Sequence, residues 1–293
     1  MTATSTIGWI GTGVMGLPMA HHLMDAGYRL RVHNRTQTKA QSLLERGAIW
    51  CDTPASVCDQ AAVVFTLLGY PSDVRSIYLG ANGLLMQAAP ATLLVDMTTS
   101  DPTLARHLAR EGESRGLSVI DAPLTGGQAG AVNGTLSVML GGETEAVERL
   151  LPYLQAFSQK MVHQGPAGAG QDTKLCNQIA LAGIMLSLCE AYQYAIKAGL
   201  DPLKVLESIG GGAASSWPMK NLLPEIINGN NQPGFYVKHF LKDLEIALES
   251  AETLYLDLPT LTLARQLYRK LEKMGHGDHG TQSLIEWYRE HNG

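Results

Sequence analysis

The sequence has no excess of positive charge, no pairing pattern among its cysteines and no unbroken apolar run of membrane-spanning length. Each absence closes a class. Lys and Arg number 22 against 27 Asp and Glu, a formal charge of −5, which argues against a nucleic-acid binder working through a general basic surface. The longest apolar stretch, IALAGIMLSLC at 179–189, falls short of the roughly 20 residues that span a bilayer, so no membrane partner is expected. The opening MTATSTIGWIG carries no charged region ahead of its apolar run, unlike a secretory leader. Cys51, Cys58, Cys176 and Cys189 show neither metal-ligand spacing nor disulfide density, which suits a reducing compartment and a cytoplasmic protein. Nine histidines are scattered, HGDH at 276–279 included, and no metal site is expected. Solenoid repeats and low-complexity linkers are also missing.

What is present suits two domains with sizeable cores: 293 residues, 45% hydrophobic and 17% charged. The first half alternates strand and helix signals. TIGWIG, YRLRVHN, a short run near Ile49, AAVVFTLL (61–68), LLVDM (93–97), LSVIDAP (117–123), TLSVMLGG (135–142) and MVHQG (161–165) read as strands separated by amphipathic helices. Such alternation predicts a parallel sheet covered on both faces, a Rossmann-type doubly wound α/β domain over residues 1–165. From 166 to 293 the strand signals stop. Leu175, Ile179, Ala182, Leu186, Cys189 and Ile196 recur at helical spacing, and further helical patterns follow, so the second domain is expected to be all-α. A long helix over about 170–198 is expected to join the two.

GTGVMG at 11–16 matches G-x-G-x-x-G between a predicted strand and a predicted helix. There Gly11 makes the tight turn, Gly13 lets backbone amides approach a pyrophosphate, and Gly16 allows the helix to pack on the strand, with Thr12, Val14 and Met15 completing the loop. The second strand ends VHNRT. An NAD site would place an acid here for the ribose 2′-hydroxyl; this chain has Asn34, Arg35 and Thr36, with Lys39 one turn on. An acid would repel a 2′-phosphate, whereas a guanidinium plane and a hydroxyl would receive it, so NADP(H) is expected over NAD(H). Further on, GAGQDTKLCNQ (168–178) places Lys174 and Asn177 three apart on one helix face. Taken alone, that pair reads as a solvated polar face.

Four segments together resemble one family, the β-hydroxyacid dehydrogenases, which include 3-hydroxyisobutyrate dehydrogenase, tartronate semialdehyde reductase and the glyoxylate/succinic semialdehyde reductases. The segments are IGWIGTGVMGLPMA, DAPLTGGQAGA (121–131), GAGQDTKLCNQ and KHFLKDLEIAL (238–248), in the family's order and spacing over essentially the whole chain. The resemblance implies an NADPH-dependent reductase of a small semialdehyde or 2-oxo acid, or the reverse reaction, acting on a small carboxylate. It implies Lys174 as the general acid/base and Asn177 as its partner, with the cofactor carrying the hydride. Thr125, Gly126 and Gly127 would bind the substrate carboxylate; Thr125 stands at a usual serine position and keeps the hydroxyl. Thr99 falls near the nicotinamide end, Lys242 of the Lys-Asp pair on the cofactor side, and Leu67 and Leu68 on the adenine-to-ribose path or simply in the core. Trp217, in SSWP, closes over the substrate or else anchors a core or a subunit contact. A homo-oligomer, dimer or tetramer, is also implied.

The resemblance is incomplete near the C-terminus. Gly280 stands where the family often has Asp, and Gln282 where it has Ser, with Asp278 a possible substitute. Two other functions share the architecture. Imine reductases usually replace the catalytic lysine with Asp or Tyr, and Lys174 argues against that class. A non-catalytic NADP-binding scaffold is opposed by the retention of Lys174, Asn177 and the TGG turn.

Overall fold

A computed structural model of the chain describes residues 5–292; the first four residues of the stretch read for a leader lie outside them. The chain divides into two compact units, one ending at Lys174 and the other beginning at Leu175.

In the first unit, β1 (Thr6–Ile10), β2 (Arg29–His33), β3 (Ile49–Trp50), β4 (Ala61–Thr66), β5 (Leu93–Asp96) and β6 (Ser118–Asp121) are followed by β7 (Leu124–Thr125), β8 (Leu136–Gly141) and β9 (Ser158–Gly165). Between them run α1 (Gly16–Asp25), α2 (Gln41–Glu45), α3 (Pro71–Leu79), α4 (Leu84–Gln87), α5 (Pro102–Glu113), α6 (Gly127–Asn133) and α7 (Thr144–Leu154). The strand order is β3-β2-β1-β4-β5-β6-β8-β7, with β9 also on β8. Successive residues of β4 feed different cores: Val63 and Phe65 pack with Ile7, Trp9 and Val95, whereas Val64 packs with Ile10, Tyr78 and Leu94. That period of two, apolar on both sides, is why the sheet is covered on both faces.

The sheet departs from the expected all-parallel arrangement at one place. β1 to β6 are parallel, but β8 runs antiparallel to β6 and to β7, with Leu124 opposite Val138 and Thr125 opposite Ser137. Only residues 126–135, seven of them in α6, separate β7 from β8. That connection turns the chain back on itself, whereas a parallel return needs a crossover of a dozen residues or more. The two-residue β7 inside DAPLTGG carried no strand signal of its own.

α8 (Ala169–Lys197) carries the chain out of the first unit. The second unit continues with α9 (Pro202–Ile209), α10 (Trp217–Asn221), α11 (Leu223–Ile227), α12 (Val237–Thr253), α13 (Pro259–Leu271) and α14 (Leu284–Asn292). Aspartate and serine caps start two of these helices: Asp201 accepts the Leu203 N–H and Ser216 the Met219 N–H. By length and composition α8 is apolar enough to cross a membrane. Its apolar residues Leu175, Ala182, Met185, Leu186 and Cys189 are buried in the second unit's core with Phe240, Leu244 and Tyr268.

Candidate active site

The glycine loop closes on one side and opens on the other. Gly11 has φ +104, and a Cβ there would lie 2.1 Å from the Leu67 carbonyl oxygen. A Cβ on Gly16 would lie 2.1 Å from the Gly11 carbonyl oxygen, which also accepts the Trp9 indole N–H at 2.9 Å. On the far side, a Cβ on Gly13 would meet nothing within 4 Å. Thr12 is buried, and its Oγ1 has no hydrogen-bond partner among the described residues. Val14 is exposed and Met15 half-buried ahead of α1, whose first turn carries no acid. A tight turn with an open outer side, a buried hydroxyl and the start of a ten-residue helix fits a dinucleotide phosphate. The Asn34 amide braces the loop, accepting the Thr12 N–H at 3.1 Å and donating to the Thr36 carbonyl at 2.8 Å. Arg35 and Thr36 beside it are exposed. Leu67 and Leu68 are half-buried, Leu67 packing on one core and Leu68 on the other.

The start of α8 is seated on the carboxyl ends of the parallel strands. Asp121, the last residue of β6, is buried and accepts the backbone N–H groups of Gly168 (2.7 Å) and Gln171 (2.8 Å). These are among the donors that a helix leaves unpaired at its beginning. Burial pushes the Asp121 carboxyl up to about 6, against the opposing pull of those two N–H groups. Asp96, its register partner on β5, is also pushed up to about 6 by burial, while accepting the Thr66 hydroxyl (3.0 Å) and the Thr98 N–H (3.1 Å). Gly170 makes the seat possible, since a Cβ there would lie 2.6 Å from the Met139 carbonyl and 2.8 Å from that of Asp121. One turn further, Lys174 is 8% exposed. At that burial the solvated-face reading of this lysine fails. Thr98 caps the neighbouring loop by accepting the Leu68 N–H at 2.9 Å, and Thr99 next to it is half-buried.

Thr125 is half-buried at the end of β7, and Gly126 and Gly127 are exposed with φ +125 and +60. Both conformations favour glycine, and they turn the chain directly into α6.

In the second unit a buried polar chain links α8 to α12. Asn177 Nδ2 donates to Gln178 Oε1 at 2.7 Å, and Gln178 Nε2 donates to Asp243 Oδ2 at 2.6 Å. Lys242 Nζ pairs with Asp243 Oδ1 at 2.9 Å, the two side chains being 12% and 3% exposed. In the Lys-Asp dipeptide, which without the family would read as a solvated pair, Asp243 is buried and Lys242 half-buried. Gln178 escaped the sequence reading, although it lies four residues after Lys174 and so faces the same side of the helix. Trp217 is 62% exposed at the head of α10, which rules out the core-anchor alternative. Gln282 is buried and donates to the carbonyls of Asn230 and Gln232, and a Cβ on Gly280 would collide with its side chain. The two departures thus form one local packing unit. Asp278 is exposed and pairs with Lys238.

A glycine loop at the carboxyl edge of a doubly wound sheet, followed by a helical second half, defines a dinucleotide-binding class of protein. Residues 6–165 match the NAD binding domain of 6-phosphogluconate dehydrogenase. Residues 168–288 match the family described as NAD-binding of NADP-dependent 3-hydroxyisobutyrate dehydrogenase. The chain is 49% identical over 281 residues to the uncharacterized oxidoreductase YkwC of Bacillus subtilis, covering 96% of this chain and 98% of that one. It is 48% identical to the probable 3-hydroxyisobutyrate dehydrogenase-like 1, mitochondrial, of Arabidopsis thaliana, covering 97% and 85%. The structure of Mycobacterium tuberculosis 3-hydroxyisobutyrate dehydrogenase with L-serine superposes with a TM-score of 0.89 at 31% identity, covering 98% and 99%. The chain belongs to the β-hydroxyacid dehydrogenase family and is an NAD(P)-dependent dehydrogenase of small hydroxy acids.

Proposed function

We propose that the protein is an NADP(H)-preferring reductase of a small semialdehyde or 2-oxo acid, tartronate or succinic semialdehyde in type, with Lys174 as the proton-transfer residue. The observation that carries this is a buried lysine at the carboxyl edge of the parallel strands, one turn into a helix whose start is pinned there by Asp121. The cofactor supplies or accepts the hydride. As the carbonyl becomes an alcohol, the Lys174 ammonium gives its proton to the oxygen and stabilises the negative charge that develops there; in oxidation the neutral amine removes it. Asn177 orients the reacting groups. Thr125, Gly126 and Gly127 hold the carboxylate with a hydroxyl and backbone N–H groups, and Trp217, being exposed, is available to the substrate. Gly11, Thr12, Gly13, Val14, Met15 and Gly16 hold the pyrophosphate. Asn34, Arg35 and Thr36 receive the 2′-phosphate, and Leu67, Leu68, Thr99 and Lys242 line the remainder of the cofactor.

The preference for NADP(H) is supported by the exposed Arg35 and Thr36 and by the absence of an acid at the end of β2. A homo-oligomer is supported by exposed apolar side chains in the second unit, Tyr194, Leu203, Leu254, Tyr255 and Leu256 among them. A reducing, cytoplasmic setting is supported by the four free thiols.

The test is a panel of semialdehydes, 2-oxo acids, hydroxy acids and cyclic imines with both cofactors, on wild type and Lys174→Ala. NADPH-linked turnover of a carbonyl acid is expected, lowered at least roughly 100-fold by Lys174→Ala, as for loss of a general acid, with NADPH affinity retained. A normal rate in the variant removes the proton-transfer role. Turnover of imines alone favours an imine reductase, and cofactor binding without any turnover favours a scaffold.

A further inference from the structure

The loop after β5 and the helix after β9 are joined through one side chain. Gln171 is fully buried; it donates from Nε2 to the Thr98 carbonyl at 2.7 Å and accepts the Ser100 N–H at Oε1, 2.9 Å. The two backbone groups it holds flank Thr99 on either side. Their chemistry dictates the amide's orientation, because a carbonyl only accepts and an N–H only donates. A carboxylate of the same shape would set an oxygen against the Thr98 carbonyl, and an apolar side chain would leave both backbone groups unpaired. Gln171 precedes Lys174 by three residues on α8 and so shares its face. The turn that carries it has little freedom of its own, with its N–H held by Asp121 and with Gly170 wedged between the Met139 and Asp121 carbonyls.

We propose that Gln171 is a positioning residue that fixes the Thr99 loop relative to Lys174. The proposal rests on the reading of Thr99 as a nicotinamide-side residue and of Lys174 as the proton-transfer group. Hydride and proton are exchanged with the carbon and the oxygen of one C–O bond. The spacing between the loop and the lysine therefore governs the chemical step more than the affinity for either ligand. A displacement of about 1 Å in such an arrangement costs on the order of 100-fold in rate.

The experiment compares Gln171→Met, Gln171→Glu and Lys174→Ala in the full chain. It measures NADPH affinity by fluorescence titration, turnover of succinic and tartronate semialdehydes, and the primary deuterium isotope effect on kcat with 4-deuterated NADPH. For Gln171→Met the expectation is a kcat lowered about 10- to 100-fold, an NADPH Kd unchanged within about threefold, and an isotope effect larger than in wild type because hydride transfer has become slower than release. Gln171→Glu should lose at least as much. If Gln171→Met does not fold, Gln171→Glu and Gln171→Asn keep a polar group at the position and carry the same readout. A folded variant with wild-type kcat and isotope effect overturns the proposal, as does one whose NADPH affinity falls while kcat at saturation holds. Wild-type turnover in Lys174→Ala instead overturns the underlying reading, and an inactive Lys174→Ala beside a normal Gln171→Met overturns the positioning role alone.

Discussion

Three glycines of one six-residue loop serve different physical ends. Gly16 has no room for a methyl group, because a Cβ would sit 2.1 Å from a backbone oxygen that cannot move aside. Gly13 has open space where its Cβ would be, so its lack of a side chain serves the approach of a ligand and not the packing of the protein. The pair therefore separates stability from binding. Gly16→Ala should lower the unfolding free energy by roughly 1–3 kcal/mol, the usual cost of overpacking, and should be visible as a depressed Tm without any ligand. Gly13→Ala should leave the Tm of the ligand-free protein within about a degree, because an exposed, unstrained site costs little, yet weaken NADPH at least tenfold. A Gly13→Ala variant that binds NADPH normally would remove the phosphate approach from this side of the loop. The pattern G-x-G-x-x-G named these residues, but which glycine is steric and which is functional depends on the folded loop: the Gly11 carbonyl blocks a Cβ on Gly16, and the Leu67 carbonyl of another strand end blocks one on Gly11.

At the scale of elements, the junction of β5, β6 and α8 concentrates buried charge. Asp96 and Asp121 are paired in register at the ends of adjacent strands, and burial pushes each carboxyl up to about 6. A carboxyl whose folded pKa is raised favours the native state while it is protonated. Its contribution is full below the unfolded value near 3.9 and is lost as pH rises through about 6. Asp96→Asn keeps an oxygen for the Thr66 hydroxyl and the Thr98 N–H while removing the ionisation. Its stability relative to wild type should therefore improve between pH 5 and pH 8, by roughly 1–1.5 kcal/mol, the part of the two-unit shift that lies above pH 5, as read from urea unfolding at both pH values. A difference that is flat with pH would show that Asp96 ionises as easily in the fold as in the unfolded chain. Asp121 faces a different balance, since its charge also holds the N–H groups of Gly168 and Gln171. That is why the acid of DAPLTGG, which the sequence reading passed over in favour of Thr125 and the two glycines, turns out to organise the helix bearing Lys174.

For the whole molecule, the two units have cores with separate residue sets, and the second is built partly on α8. The second unit leaves Tyr255 96% exposed, between Leu254 and Leu256 at 61% and 54%. Single exposed apolar residues are ordinary, and a run of three in one loop is the exposed apolar surface on which the proposed oligomer can be tested. The proposed oligomer makes a direct prediction. Light scattering on the purified protein should give a multiple of 31.5 kDa, and a Tyr255→Ser, Leu256→Ser double variant should shift the distribution toward that single-chain mass. A wild-type mass of one chain would dispose of the oligomer.

Much of this architecture was readable from the chain itself. Period-two and period-3.6 apolar patterns are local, so the strands of the sheet and the long helices, α8 included, fell where the spacings put them. The glycine loop and the absence of an acid after β2 are likewise local signals, legible because phosphate binding depends on backbone conformation that glycine alone adopts cheaply. What the sequence could not contain was the outcome of long-range pairing. The reversal of β8 followed from a two-residue strand, β7, too short to show periodicity. The bond from Gln178 to the buried Asp243 joins two helices far apart in sequence, and the exposure of Trp217 depended on what did not pack over it. The position of Lys174 was decided the same way. The sequence supplied a lysine at helical spacing; tertiary structure buried it, one turn into a helix whose start Asp121 and Gln171 hold through backbone partners that only folding brings within reach.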